Sequence, residues 1–586
     1  MKARRHAFVL LVAAIGVAAL VPAQAQIGGV GLGLGGPGLS DQSALAEGQP
    51  IGELNVEIKG GQDDAGLREA ARAAFGFGVG STFNAVVADA ALGRVRALPG
   101  LRDAAYHLTF QPATGTLRLV LLLSPGTPGT EAPKGILAGQ GIEGFPTLWR
   151  DDRSLLRFTL NGGLGAFSDS NPWFGQPLAF TQRNPLVQNP ALGAQTGSRA
   201  SWFESYVEYG IGGATRIVSS DFYVYGAVSS VAVQATGQDI FRGDTRTSNS
   251  LEKLYAGVIY APQDQDLRVN ASVGRQNFTL NDGFLIAQYG AQWNAGPRPG
   301  IYLAPRTTHD MAAITTIRTG KWLATGFWLD PNEYEPLESR TQVVGGNLRY
   351  NATQSFYTDV TALYVPNSNA TYYLPSGSAL GREGLRTIAG HVRWADAAIV
   401  PGLWLEGELA HQSNENFPMS AWAGYSTAGY LARNLPWTPS LSYRYASFSG
   451  DNPATSRYER FDTLYSGGLN EWLQGITVNK ALNQSNRTTH RVRFNVTPSE
   501  ATNLTLDWFL HRAEQLNNRG GNPALAQLGS HDLGQEWQFV LRTPLSRGLY
   551  FVGVASVALP GEAIRQAAGG ATRPWSSLQA QLYWNF

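Results

Sequence analysis

The 586 residues exceed the usual size of one compact domain, which leaves either several domains or one very large closed sheet. With 68 Gly, 23 Tyr, 25 Phe and 15 Trp but only 15% charged residues, the composition suits β-structure with aromatic girdles better than a helical cytosolic enzyme. The absence of Cys excludes a disulfide framework and thiolate chemistry, while the formal net charge of +1 is uninformative and no nucleic-acid partner is expected.

Residues 1–25 read as a secretory signal peptide: Lys2, Arg4 and Arg5 precede an apolar run from Ala7 to Val21, and Ala23-Gln24-Ala25 is a small-x-small cleavage site. That run is short for a membrane helix, and no later segment approaches about 18 apolar residues, so a helical membrane protein is excluded. Residues 26–50, with "QIGGVGLGLGGPGLS", read as a Gly-rich linker. Gly31, Gly33 and Gly36 have the spacing of a dinucleotide-binding loop, but the strand before it and the helix after it are missing, so no cofactor is expected.

From 51 to 126 the pattern predicts a small α+β unit. "IGELNVEIKG" alternates Leu54, Val56 and Ile58 as a strand; "DDAGLREAARAAFG" has an acidic start and helical spacing that ends at Gly76. A second helix is expected after a cap near Ser81 or Thr82, stopped by Pro99-Gly100. A hairpin then turns around Ala113-Thr114-Gly115, with Tyr106, Leu108 and Phe110 on one arm and Leu117, Leu119 and Leu121 on the other. This order, with "RVRALPGLRDA" and "GTLRLVLLL", resembles a POTRA domain, the periplasmic module attached to several outer-membrane transporters.

Residues 127–146 read as a second linker, led into by "PGTPGTEAPKG" (Pro125 to Gly135), and from 147 to 586 the texture changes. Segments of about ten residues alternate in period two between polar loops, which predicts an all-β transmembrane barrel. In "DLRVNASVGRQ", Leu267, Val269, Ala271 and Val273 oppose Arg268, Asn270 and Ser272; in "HRVRFNVTP", Val492, Phe494 and Val496 oppose Arg491, Arg493 and Asn495. "GLWLEGELAHQ" sets Leu405 and Leu409 against Trp404, Glu406 and Glu408. Periodicity alone does not separate a soluble sandwich from a membrane barrel, because only the identity of the outer face differs. "SSLQAQLYWNF" places Leu578, Ala580, Leu582, Trp584 and Phe586 on one face. It resembles the terminal strand of outer-membrane proteins, whose last aromatic, here Phe586, is the signal read by the barrel-insertion machinery. Roughly 440 residues at about 24 per strand and loop give about 16 to 20 antiparallel strands, 18 favoured, and a lumen wide enough for water.

Catalytic chemistry finds little support. The eight His are scattered without a metal-ligand spacing, so no metal is expected. Ser530, His531 and Asp532 are adjacent in "GSHDLG", but neighbours on a strand point to opposite faces, and "AGYSTAG" around Ser426 lacks the G-x-S-x-G elbow. An enzyme is therefore not expected, and no catalytic residue is assigned. By parity with apolar neighbours, Arg268, Arg393, Arg444, Arg491 and Arg493 point into the lumen. Inward guanidiniums attract anionic solutes where low-dielectric walls concentrate the field. The alternative is that they only pair with Glu406, Glu408 and Asp507 and line water without selectivity.

"YASFSGDNPATSRYERFDTLYSGG" (Tyr445 to Gly468) resembles the "SGD…RFD.L" segment of alginate-export outer-membrane proteins; "SVGRQNFTLNDGFLI" (Ser272 to Ile286) and "LGQEWQFVLRTPLSRGLYFVGVASVALPGEAI" (Leu533 to Ile564) are similar to other parts of that family. The resemblance implies a monomeric barrel in the bacterial outer membrane, in contact with its lipid, through which an acidic exopolysaccharide leaves the periplasm. It adds Arg275 of "GRQ" and Arg460 and Asp462 of "ERFD" to the residues expected along the substrate path, and suggests that the charges of "SRYERFD" fix their loop over the pore. The POTRA-like unit departs from the family and would dock a periplasmic polysaccharide-synthesis complex. Two rival readings follow from the same residues: a POTRA-barrel protein transporter of the two-partner-secretion or barrel-insertase kind, for which no "RGY" or "RGF" motif is present, and an outer-membrane hydrolase.

Overall fold

The computed structural model describes residues 49–585 apart from 60–63, 112–115, 127–146, 151–152, 174–198, 218–220, 240–244, 263–264, 288–301, 304–307, 334–338, 396–399, 467–471, 522–524 and scattered gaps of one or two residues. The signal peptide, most of the first linker, the second linker, the hairpin tip at 113–115 and Phe586 lie outside the described residues.

The small N-terminal unit runs β1 (Ile51–Ile58), α1 (Ala65–Phe75), α2 (Ala85–Arg96), β2 (Leu101–Gln111) and β3 (Thr116–Pro125). Its sheet has the order β1-β3-β2, with β1 parallel and β2 antiparallel to β3. Asp64 caps α1 by accepting the Leu67 N–H at 3.0 Å, and Gly76 ends it in the left-handed region at φ 76°. The cap of α2 is Asn84, which accepts the Val87 N–H at 3.0 Å, and not Ser81 or Thr82. Thr82 is committed elsewhere: its hydroxyl donates to the Thr279 carbonyl at 3.2 Å. Phe75, Phe83, Leu92, Val95, Tyr106, Leu119 and Leu121 form the buried centre of the unit.

The rest of the described chain closes into an 18-strand antiparallel barrel. Each strand pairs with its sequence neighbour, and the last, Trp575–Asn585, closes the wall on Ser154–Ser170 with Leu578 opposite Ser168 and Tyr583 opposite Gly163. The two faces are inverted relative to a water-soluble protein. Val273, Val360, Ile388, Leu409 and Leu441 are each more than half exposed on the outside, whereas Asp359, Arg393, Glu406, Asp507 and His511 are buried inside. An outer face of this kind is stable only against hydrocarbon, and closure leaves no unpaired strand edge there, so the wall spans a membrane. Trp322, Trp422, Tyr430, Trp437 and Trp537 stand on the exposed side, the residue types that anchor a barrel at lipid headgroups.

One rim carries short turns, as between Thr319 and Trp322, and the other long loops, as between Arg275 and Met311 and between Phe448 and Arg487. In outer-membrane barrels the short turns face the periplasm. The small unit sits in that mouth. Its apolar core continues into the inward residues Ala214, Tyr225, Tyr255, Ile259 and Ala261 of the wall. Asn84 binds both ways: while its oxygen caps α2, its amide donates to the Tyr255 hydroxyl at 3.1 Å. Gly80, at φ 86°, passes so close to the Arg349 guanidinium that an added Cβ would lie 1.3 Å from Nη1, so a side chain there would strain the backbone and force the guanidinium to move.

Candidate functional site in the barrel lumen

The inward positions follow from strand parity, and they carry an ordered set of charges. On Arg487–Val496 the inward column is Arg487, Thr489, Arg491, Arg493 and Asn495, all buried. Arg444, on the neighbouring strand Ser440–Phe448, is the register partner of Arg491. Arg493 makes a bidentate pair with Asp507, at 2.6 Å from Nε and 3.0 Å from Nη2. Arg444 donates to the Thr427 hydroxyl at 2.9 Å and lies over the rings of Tyr425 and Trp472, 5.0 and 4.6 Å from their centroids. Arg393 approaches Glu406 at 3.4 Å; Glu408, one inward position along, is buried beside it.

A chain of polar contacts joins this side to residues that sequence reasoning missed. His391 bridges Asp359 at 3.0 Å and Glu406 at 3.3 Å, Asp359 pairs with Arg349 at 3.1 Å, and Arg349 donates to Asn281 at 2.6 Å. On the far side of the wall Glu204, Glu208 and Glu252 point inward from the strands Arg199–Arg216 and Arg246–Tyr260. The lumen thus has a basic sector, arginine-rich though interleaved with Asp359, Glu406, Glu408 and Asp507, and an acidic sector across from it in which Glu208 pairs with Lys253 at 3.2 Å. The alternation of Trp202, Glu204, Tyr206 and Glu208 in "SWFESYVEYG" is the signal that could have found the acidic one.

Two extracellular segments fold inward and narrow the lumen. The first, after Gln276, places Asp282 where it accepts the Tyr425 hydroxyl at 2.9 Å, and Phe284 against Trp472 at 4.9 Å between centroids. The second is Ser449–Asn486. Its Asp462 accepts from the Tyr372 hydroxyl at 2.8 Å and from Arg382 Nε at 2.7 Å, while its backbone pairs with the Gln412 amide. Arg460 is buried and donates to Asn518 at 2.9 Å. Farther along, Glu536 accepts the N–H groups of Thr477 and Val478 at 3.0 and 2.8 Å, and Lys480 pairs with Asp169 at 2.5 Å.

The predicted positions therefore fall in three places. Arg393, Glu406, Glu408, Arg444, Arg491 and Arg493 line the lumen together. Arg460 and Asp462 hold the inward loop. Arg268 and Arg275 are set apart: Arg268 meets the small unit at the periplasmic mouth, and Arg275 donates to the carbonyls of Leu251 and Glu252 and pairs with Asp310. The residues of the weak triad do not converge: Ser530 accepts the Asp532 N–H at 3.2 Å, and His531 donates to the Ala513 carbonyl at 2.7 Å. Ser426 is exposed on the outer face. Among the described residues, no group of His, Asp and Glu is arranged to hold a metal ion.

No curated protein sequence matches the chain. Among solved structures, it is similar to Pseudomonas aeruginosa OccK5 (OpdH), with a TM-score of 0.43 and 8% identity over 73% of this chain and 98% of that one. Acinetobacter baumannii OccAB1 gives a TM-score of 0.44 and 8% identity over 74% and 96%. The alginate export family matches residues 234–574, more than half of the sequence, including the basic sector and both inward-folded segments. With a closed 18-strand wall, apolar outside and charged within, the chain belongs to the alginate export family of bacterial outer-membrane channels.

Proposed function

We propose that the protein conducts an anionic, alginate-like exopolysaccharide from the periplasm through the lumen, without covalent chemistry of its own. The observation that carries this reading is the basic sector: Arg393, Arg444, Arg487, Arg491 and Arg493 all turn inward, and Arg444 and Arg491 stand side by side in register. Guanidiniums pair with carboxylates in bidentate geometry, and the facing carboxylates of Glu204, Glu208 and Glu252 limit how tightly a polyanion is held. Binding strong enough to admit the chain is thereby kept weak enough to release it.

The small unit serves as a POTRA-like periplasmic module in this reading. Its outer strands β1 and β2 are the two edges of the sheet, and an extended segment of a periplasmic polysaccharide-synthesis protein would add to one of them. In this reading the channel works as a monomer.

Deleting the gene in a polymer-producing strain is the test. Acidic polysaccharide should vanish from the cell surface and accumulate in the periplasm, and the wild-type gene should restore export. Normal surface polymer accompanied by loss of a surface protein would overturn the reading in favour of protein transport.

A further inference from the structure

The seam between the small unit and the wall is a second charged compartment, separate from the basic sector. A cavity of ≈150 Å3 lies there, with Thr82 and Asn84 on the side of the unit and Asn270, Thr316 and Asn347 on the side of the wall. Among the described residues, three guanidiniums border it, those of Arg94, Arg268 and Arg318, and no carboxylate does.

These arginines are held differently from several others that point into the barrel. Arg349, Arg393 and Arg493 each meet a carboxylate. At the seam the acceptors are backbone carbonyls. Arg94 donates to Ala74 and Phe75 at 2.8 and 2.9 Å, Arg268 to Ala73 at 3.1 Å and to Pro262, Gln265 and Leu267, and Arg318 to Gly76 at 2.9 Å. Among the described residues none of the three makes a salt bridge, although Asp266 and Glu69 act on the charge of Arg318 from farther away. A guanidinium pairs with a carboxylate through two parallel charge-assisted bonds, which a single backbone carbonyl does not offer. A carboxylate reaching the seam therefore competes effectively with the carbonyls of Ala73 and Gly76.

Building on the export reading, we infer that this seam is the first binding site for the carboxylate-bearing sugar units of the polymer, and that the 73–76 segment fills it in the resting protein as an internal surrogate. The amides and hydroxyls around the guanidiniums match the hydroxyls of a sugar, and Phe77 offers an apolar face. Occupation of Arg268 and Arg318 by the ligand and loosening of the 73–76 segment from them are then one event.

The test titrates trigalacturonate, with neutral maltotriose as control, into the full-length protein in detergent and follows heat. Saturable binding of the uronate is expected, with maltotriose weaker. The Arg268→Gln/Arg318→Gln variant should lose at least tenfold in affinity. Thr316→Glu, which leaves both arginines in place but puts a carboxylate beside them, should do the same. Both variants should keep the heat-modifiable gel mobility of a folded barrel. Hydrogen exchange at residues 73–84 should rise in the wild type when the uronate is added. Wild-type affinity in both variants would overturn the seam site while leaving the export reading standing, and unchanged exchange on saturation would overturn the displacement. Absence of anion selectivity in the wild type would instead count against the export reading itself.

Discussion

Among individual side chains, Arg493 and Asp507 show how the lumen tolerates so much charge. Each is buried, and two short bonds join them. Removing one partner strands the other, at a cost of about 3–5 kcal/mol, whereas replacing both with apolar groups of similar volume costs little. Arg493→Met should therefore lower the guanidinium-unfolding midpoint of the micelle-bound barrel clearly, and Arg493→Met/Asp507→Leu should recover most of the loss. His309, at the extracellular end of the segment that follows Gln276, makes a different prediction. Burial pushes its pKa down to about 4, against a backbone contact at Phe278 that raises it and with Arg275 adding to the drop. The folded protein thus holds this ring neutral while the unfolded chain protonates near pH 6.5. Stability is complete above pH 6.5 and falls as the pH drops toward 4, by on the order of 3 kcal/mol from this group. Thermal midpoints measured between pH 7 and 4 should show that slope, and His309→Gln should flatten it.

Strands and helices were legible in proportion to how local their signals are. The period-two faces around Arg268, Arg393, Arg444, Arg491 and Arg493 carry over directly, because a strand's parity is fixed by its own backbone. The second helix of the small unit was placed correctly but given the wrong cap, since the choice between Thr82 and Asn84 is decided by Tyr255 and Thr279, nearly 200 residues away. The segment "SFSGDNPATSRYERFDTL" is the clearest element-scale case. Its turn residues mark a loop, but its course into the lumen depends on Tyr372, Arg382 and Gln412 from other hairpins. Asp462 is the point where these contacts meet. Asp462→Ala should release the loop, seen as a larger and noisier single-channel conductance, whereas Thr455→Ala at the exposed tip of the same loop should leave the conductance unchanged.

For the whole molecule, chain length and spacing were enough to expect about 18 strands, because the wall repeats one unit. The position of the small unit in the periplasmic mouth was not legible. It rests on contacts such as Arg318 to Gly76 and Arg268 to Ala73, each between residues far apart in sequence and with no motif of their own. The two charged sectors were half legible: the arginines stand out against apolar neighbours, while Glu204 and Glu208 share their inward face with Trp202 and Tyr206, so that face does not read as polar. Together these features describe a membrane wall that faces lipid outside, presents guanidiniums along one side within, and is narrowed at both mouths by its own chain. The most direct test of that account is the reversal potential of the full-length protein in a planar bilayer under a salt gradient. The account predicts an anion-selective current that falls on adding trigalacturonate and loses selectivity in the Arg444→Gln/Arg491→Gln/Arg493→Gln variant; a cation-selective current, indifferent to the uronate and to those substitutions, would contradict it.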